Sequence, residues 1–165
     1  MRCYCDVSKF VVYLKNTKYI TYVIRPLMVE IGENKMPLPC ELAVRSVVPA
    51  IRALVARELS QVHQMKQEEI ASLLDVTQSA ISQYMRSERG KAIDLREVGE
   101  VQGIAKELAY GLTNGTFSRR QITQKYCEAC RIIREKRLLC DLHRKLDPYF
   151  SIAGCDACIA SKHCF

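Results

Sequence analysis

The hydrophobic pattern of residues 38–62 predicts a long amphipathic helix. Apolar residues recur there mostly three and four positions apart, which places them in one broad stripe on a helix. The stripe consists of Val44, Val47, Val48, Ile51, Leu54, Val55 and Leu59. Pro39 suits the first turn of this helix, where no backbone donor is needed. Pro49 lies inside the pattern, and because proline removes a donor we expect a kink or a break into two helices there.

Residues 66–90 predict two short helices joined by a tight turn. The first, over 67–74, has an apolar face that includes the small residue Ala71. Asp75 lies in the turn, where a left-handed backbone is usual and Asp tolerates it better than most residues. Thr77 is a typical N-cap for the second helix, over 78–86. Helices joined this closely cross at a steep angle, so that one packs on the protein while the other projects.

The projecting helix carries short polar side chains suited to contacting base edges in a DNA major groove. Gln78 can bind adenine bidentately, and Gln67 can present its amide and backbone N–H groups to a phosphate. The predicted DNA-binding residues are Gln67, Thr77, Gln78, Ser79, Ser82, Gln83, Arg86, Arg89 and Lys91. The alternative is an amphipathic helix pair inside an ordinary helical protein, which the apolar spacing alone would favour. The combination of turn, cap, small residue and polar outer face favours DNA binding.

Apolar periodicity over residues 94–112 predicts a further helix, which completes the core or forms a dimer interface. Asp94 is its predicted cap. Gly99 and Gly103 weaken helix propensity but permit close approach of another helix. Asn114 and Gly115 then form a stop signal.

A basic helix is predicted to follow, ending at about Arg137. Ser118 and Gln121 have the spacing of a capping box at its start. Near the other end of the chain, the β-branched and aromatic runs 10–14 and 19–24 predict a β-hairpin. Residues 1–27 are alternatively an appendage outside the native fold, since Met28 or Met36 could be the true start.

Composition and charge narrow the classes of function only partly. The chain has 165 residues and a formal net charge of +7. Residues 37–92 hold seven Lys/Arg against six Asp/Glu, whereas residues 115–165 hold ten against five. Basic surface attracts phosphate regardless of sequence, but an excess this small does not decide the function. Because we find neither a secretory signal nor an apolar membrane span, we expect a cytoplasmic protein.

The C-terminal cysteines have the spacing of metal ligands. Six of the nine cysteines lie between Cys127 and Cys164. Two C-x-x-C pairs flank a C-x-x-H motif. In a reducing compartment such cysteine clusters more often bind metal than form disulfides. The first-choice ligands are Cys127, Cys130, Cys155 and Cys158, with Cys140 and His143 as alternates. Four thiolates suit zinc or an iron–sulfur cluster. Zinc is favoured over iron–sulfur, and disulfides or unligated thiols stay open.

The motif resembles the lambda-repressor-like, XRE-type helix-turn-helix regulators. The matching residues are Gln67, Glu69, Ile70, Ala71, Leu74, Val76, Thr77, Gln78, Ile81 and Ser82. The preceding stretch LPCELAVRSVVPAIRALVARELS and the cysteine-rich end are similar to an archaeal branch of these regulators. The resemblance covers about residues 37–160 and implies a homodimer that binds paired sites on double-stranded DNA. This chain departs from the family at Asp75, where Gly is common, and in its N-terminal extension.

These observations together predict a mainly α protein. Residues 1–36 are an N-terminal extension with the β-hairpin, 37–114 a lambda-repressor-like helical bundle with the helix-turn-helix, and 115–165 a basic helix with a small cysteine-rich metal-binding module. The expected function is transcriptional regulation without enzymatic activity, the metal being structural or sensing redox or metal state. The alternative is an adaptor whose helix pair packs on a partner protein. A thiol oxidoreductase is less consistent with the pattern, because neither C-x-x-C pair follows a strand at the start of a helix.

Overall fold

The described part of the chain is mainly helical. The computed structural model describes residues 38–147 and 151–160, and no β-strand occurs within them. In chain order the helices are α1 (Pro39–Gln61), α2 (Gln67–Leu74), α3 (Gln78–Met85), α4 (Gly99–Thr113), α5 (Arg119–Glu135), α6 (Cys140–Leu146) and α7 (Ala157–Ala160). The predicted N-terminal β-hairpin lies outside the described residues.

Helix α1 is the centre of the bundle, since α2, α3, α4 and α5 all contact it. It runs without interruption through Pro49, so the predicted break into two helices is wrong. Val47 and Ile51 on either side of the proline are completely buried in the same core. Their burial on one continuous apolar stripe outweighs the loss of a single backbone hydrogen bond.

The local chemistry of the turn between α2 and α3 confirms two predictions. Asp75 adopts the left-handed conformation, with φ at 51°. The Thr77 hydroxyl oxygen accepts a hydrogen bond from the Ala80 backbone N–H at 3.2 Å, so this residue caps α3. Ala71 is buried where α2 meets α3, and a larger side chain there would push the two helices apart.

Helix α4 begins at Gly99, so the prediction that Asp94 caps it is wrong. The Asp94 carboxylate instead accepts hydrogen bonds from the backbone N–H and the guanidinium of Arg96. This local turn keeps the segment before α4 out of a helix, although Leu95 and Val98 are buried in the core. The apolar residues before Gly99 thus have helical spacing in the sequence but lie in a buried loop.

The predicted close approach at the α4 glycines is not seen within the residues that the structure describes. There, a Cβ added at Gly99 or Gly103 would meet no atom within 4 Å, so neither glycine lies against another helix of the chain. Gly111 does allow a close contact, although not with a helix, because a Cβ there would overlap the ring of Phe117 in the loop after α4. The predicted stop is confirmed: α4 ends at Thr113, and Gly115 adopts a positive φ of 61°.

Helix α5 starts with the predicted capping box. The Ser118 hydroxyl accepts a bond from the Gln121 N–H at 3.3 Å, and the Gln121 side-chain oxygen accepts one from the Ser118 N–H at 2.9 Å. The helix packs on α1 and α4, and the short helix α7 returns to contact it. Of the helices in residues 38–147 and 151–160, none has both the length and the apolar character needed to cross a lipid bilayer.

Candidate nucleic-acid interface and cysteine cluster

Helix α3 has one face in the core and one face in solvent. Ala80, Ile81 and Tyr84 point inward and are buried. The predicted DNA-binding residues lie on the other side or just beyond the helix. Thr77, Gln78, Ser79, Arg86, Arg89 and Lys91 are exposed, and Gln67, Ser82 and Gln83 are half-buried. The α1–α3 and α2–α3 contacts hold the buried face, and the polar face stays accessible.

Hydrogen bonds link the polar side chains at the two helix starts. The Gln78 Nε2 group donates to the Gln67 Oε1 atom at 2.7 Å, joining the first residue of α3 to the first residue of α2. The hydroxyls of Thr77 and Ser79 lie 2.9 Å apart and share a hydrogen bond. The donation to Gln67 uses one N–H of the Gln78 amide and leaves its oxygen and second N–H for a ligand.

Arg86 is held by groups of the protein itself. It donates to the Ser82 hydroxyl at 2.6 Å and makes a bidentate pair with Glu88, at 2.8 and 3.1 Å. The hydrogen bond from Arg86 lowers the pKa of the Glu88 carboxyl. Both side chains are more than half exposed, and exposed pairs contribute little, so a phosphate could replace Glu88 at small cost.

Arg57 of α1 belongs to this region although sequence reasoning missed it. The half-buried Arg57 guanidinium donates to the Ser87 hydroxyl at 3.0 Å and lies 3.4 Å from the Tyr84 carbonyl oxygen. It therefore fixes the end of α3 and the residues that follow. The sequence signal was weak, because a single arginine on the polar side of an amphipathic helix is common. Arg89 stacks over the Tyr84 ring, 5.6 Å from its centre.

The C-terminal cysteines whose side chains are described lie on α5, on α6 and in the segment before α7. Cys127 and Cys130 are half-buried on α5, one turn apart, and Cys140 is the half-buried first residue of α6. His143, one turn further along α6, is buried, and Cys155 is half-buried.

The thiols are only partly brought together. Burial raises the pKa of Cys140, and the Cys155 thiol nearby adds to the rise. Helix α7, whose backbone includes Cys158, contacts α5, but the side chain of Cys158 is outside the described part. Among the side chains that are described, no three His, Cys, Asp or Glu residues form a group that could hold a metal ion. The members of the predicted ligand set whose side chains are described thus lie on neighbouring elements of the chain.

The basic residues near Cys130 are engaged elsewhere. Arg131 pairs with Glu135 at 2.7 Å and Lys136 with Glu100 at 3.0 Å. The arrangement offers two chemistries: a polar helix face that can exchange hydrogen bonds with a ligand, and soft sulfur donors on adjoining helices. No protein-family model, curated protein or solved structure matches the chain.

Proposed function

We propose that this chain is a sequence-specific, double-stranded-DNA-binding transcriptional regulator of the lambda-repressor-like, XRE type. The observation that carries the proposal is the division of α3 into a buried apolar face and an accessible face of Gln78, Ser79, Ser82 and Gln83. This helix follows a three-residue turn, and Thr77 caps its start. This is the arrangement in which a helix-turn-helix presents its second helix to DNA.

The dimensions of α3 suit the major groove. An α-helix with its side chains is about 10–12 Å across, and the groove is about 12 Å wide. Gln78 and Ser79 are at the N-terminal end of the helix, which normally contacts bases. Gln67 steadies the Gln78 amide and keeps its own N–H groups for a phosphate. Base contact by Gln78 and phosphate contact by Gln67 would therefore occur together.

Phosphate contacts in the proposal come from the cations after α3. Arg86, Arg89 and Lys91 are exposed and follow one another on the exit from the helix. The rest of the region is nearly neutral, so affinity would come from few phosphates and depend modestly on salt. A single α3 reads only a few base pairs. We therefore propose a homodimer that binds two half-sites about one helical turn apart, which sedimentation of the protein–DNA complex would test.

A cysteine-ligated zinc or iron–sulfur site in the C-terminal segment is part of the proposal. It is supported by the neighbouring positions of Cys127 and Cys130 on α5 and by the contact between α5 and α7. A small segment that cannot bury a core of its own gains stability from such a site. Anaerobic purification followed by an absorption spectrum and elemental analysis tests it. A protein with neither zinc, iron nor sulfide would refute this part.

The DNA-binding proposal is tested by selecting ligands from a pool of random DNA duplexes. The selected duplex is then titrated by fluorescence anisotropy with the wild type and with Gln78→Ala/Ser82→Ala. Each base contact is worth about 1–3 kcal/mol, so the double variant, which loses two, should bind the selected duplex roughly thirtyfold to ten-thousandfold more weakly. Its affinity for unrelated duplexes should change little. Gln124→Ala, an exposed glutamine of α5, is the matched control and should have no effect.

Two outcomes would contradict the proposal. If selection enriches no sequence, the helix pair does not read DNA, and the adaptor alternative gains. If a sequence is enriched but the double variant binds it as tightly as the wild type does, α3 is not the reading helix. Circular dichroism of each variant confirms that the fold is retained, which is expected because both side chains lie outside the core.

A further inference from the structure

A cleft lies between α1 and the segment that joins α3 to α4. Its volume is about 390 Å³, which is within the range of small-molecule sites. One wall is a face of α1 and the other is formed by residues 87–96. The backbone of Gly90 lies against α1 at this point, since a Cβ there would be 2.6 Å from the Pro49 carbonyl oxygen.

The rim of the cleft has an excess of positive charge. Arg57, Lys91 and Arg96 line it together with Asp94. Arg96 is already paired with Asp94, at 2.5 Å. Within residues 38–147 and 151–160, neither Arg57 nor Lys91 has a carboxylate at ion-pair distance. The two remaining cations therefore favour a negatively charged occupant.

The floor of the cleft is apolar. Ala50, Ala53, Leu54, Ile93 and Leu95 form it; Leu54 is the most accessible of them, and the other four are buried. An inorganic anion would satisfy the rim but make no apolar contact with Leu54. Arg57 uses one terminal nitrogen for the Ser87 hydroxyl, and its other N–H groups keep the planar geometry that matches a carboxylate. We propose that the cleft binds a small organic carboxylate whose apolar body rests on the floor.

Such a ligand would be coupled to the DNA-binding face. Arg57 contacts Ser87 and the end of α3, and Lys91 is one of the proposed phosphate contacts. A carboxylate that neutralises these two cations should weaken DNA binding, and DNA should weaken carboxylate binding by the same factor. The effect on DNA rests on the proposed function, whereas binding of the carboxylate does not.

The binding step is tested on the full-length protein as purified, by ¹⁵N–¹H NMR titration. Benzoate is the probe, benzamide its uncharged isostere, and inorganic phosphate the anion without an apolar body. Benzoate should shift the amides of Ala53, Gly90 and Lys91 in a saturable way. Benzamide and phosphate should each bind at least tenfold more weakly, because each lacks one of the two required features.

Variants localise the site. Arg57→Gln should weaken benzoate binding at least tenfold, which is the loss of one charge-assisted contact. Arg45→Gln is the matched control, an exposed arginine of the same helix that does not line the cleft. Because Arg57→Gln could disturb α3, Lys91→Gln provides a second measurement and should also weaken benzoate. Equal binding of benzoate and benzamide, equal binding of phosphate, or shifts outside the cleft would each overturn the proposal.

The coupling is tested separately with the selected duplex. Saturating benzoate should raise the Kd of the wild-type protein for this duplex several-fold. The Kd of Arg57→Gln for the same duplex should be the same with and without benzoate. If benzoate occupies the cleft but the Kd of the wild type is constant, the regulatory role is wrong and the binding site stands. If no duplex can be selected, the NMR result still decides whether the carboxylate site exists.

Discussion

Replacing Tyr84 with phenylalanine should stabilise the protein, whereas most substitutions in a protein core destabilise it. Tyr84 is completely buried on the inner face of α3. Its hydroxyl has no hydrogen-bond partner among the residues that the structure describes. A buried hydroxyl without a partner costs about 1–3 kcal/mol, because its hydrogen bonds to water are lost on folding. Tyr84→Phe removes this cost and keeps the ring in place, so it should stabilise the protein.

The expected gain is about 1 kcal/mol, since the space vacated by the oxygen offsets part of the relief. For a chain of 165 residues this corresponds to a rise in Tm of roughly 2–4 °C. Thermal unfolding followed by circular dichroism measures it, and urea unfolding gives the free energy independently. The affinity for DNA should not change, because the hydroxyl lies on the face of α3 opposite to Gln78 and Ser79.

Tyr126 of α5 provides the matched control. Burial raises the pKa of Tyr126, while the positive charge of Arg52 on α1 opposes the rise. Tyr126→Phe removes a hydroxyl that interacts favourably with this charge and should destabilise by about 1 kcal/mol. The same chemical change should thus have opposite signs at two tyrosines of one core. If Tyr84→Phe destabilises as much as Tyr126→Phe does, the Tyr84 hydroxyl is satisfied after all, and the reasoning is refuted.

Six further substitutions, at five positions, have defined outcomes. Asp75→Gly should stabilise by up to about 1 kcal/mol in urea unfolding, and Asp75→Val should destabilise by at least that much, because the position is left-handed. Gly90→Ala should destabilise by about 1–3 kcal/mol, since φ is +76° and the methyl group would meet α1. Gly103→Ala, its control in open space, should stabilise by about 0.5–1 kcal/mol. Asp94→Asn should lower Tm at pH 7 but much less at pH 2.5. The hydrogen bonds from Arg96 lower the pKa of the Asp94 carboxyl in the folded protein. The stability that this carboxylate contributes is therefore fully present above the pKa of the unfolded state, near 3.9, and is lost as the pH falls towards the lower pKa of the folded state. Ser79→Glu should raise Tm slightly yet abolish selective binding in anisotropy, and tight binding by this variant would count against a close approach of DNA to the start of α3.

The sequence predicted local structure wherever a short-range interaction decides it. The Thr77 cap, the Ser118 capping box and the left-handed Asp75 each depend on residues within four positions, and each is present. These signals needed no knowledge of the rest of the fold, since their donors and acceptors are neighbours along the chain. They place the two faces of α3 correctly, which is most of what the candidate DNA interface requires.

Prediction failed where distant contacts override the local pattern. Pro49 does not break α1, because the core on both sides of it holds the helix together. Arg57 was missed for the same reason: its importance comes from Ser87, thirty positions away. The spacing of residues within a single helix cannot predict a contact with a residue on another part of the chain.

The residues at the starts of α2 and α3 differ in a way that helix stability alone does not explain. Helix α2 has Glu68 and Glu69 in its first turn, where acids interact favourably with the helix dipole, whereas α3 has no acid in its first turn. Serine also lowers helix propensity relative to alanine or lysine, yet Ser79 and Ser82 are both on the accessible side of α3. A surface selected for stability alone would favour acids at this start and long charged side chains along the helix. Short uncharged groups and a helix start without acids are what the proposed approach of α3 to the base edges of a duplex would need.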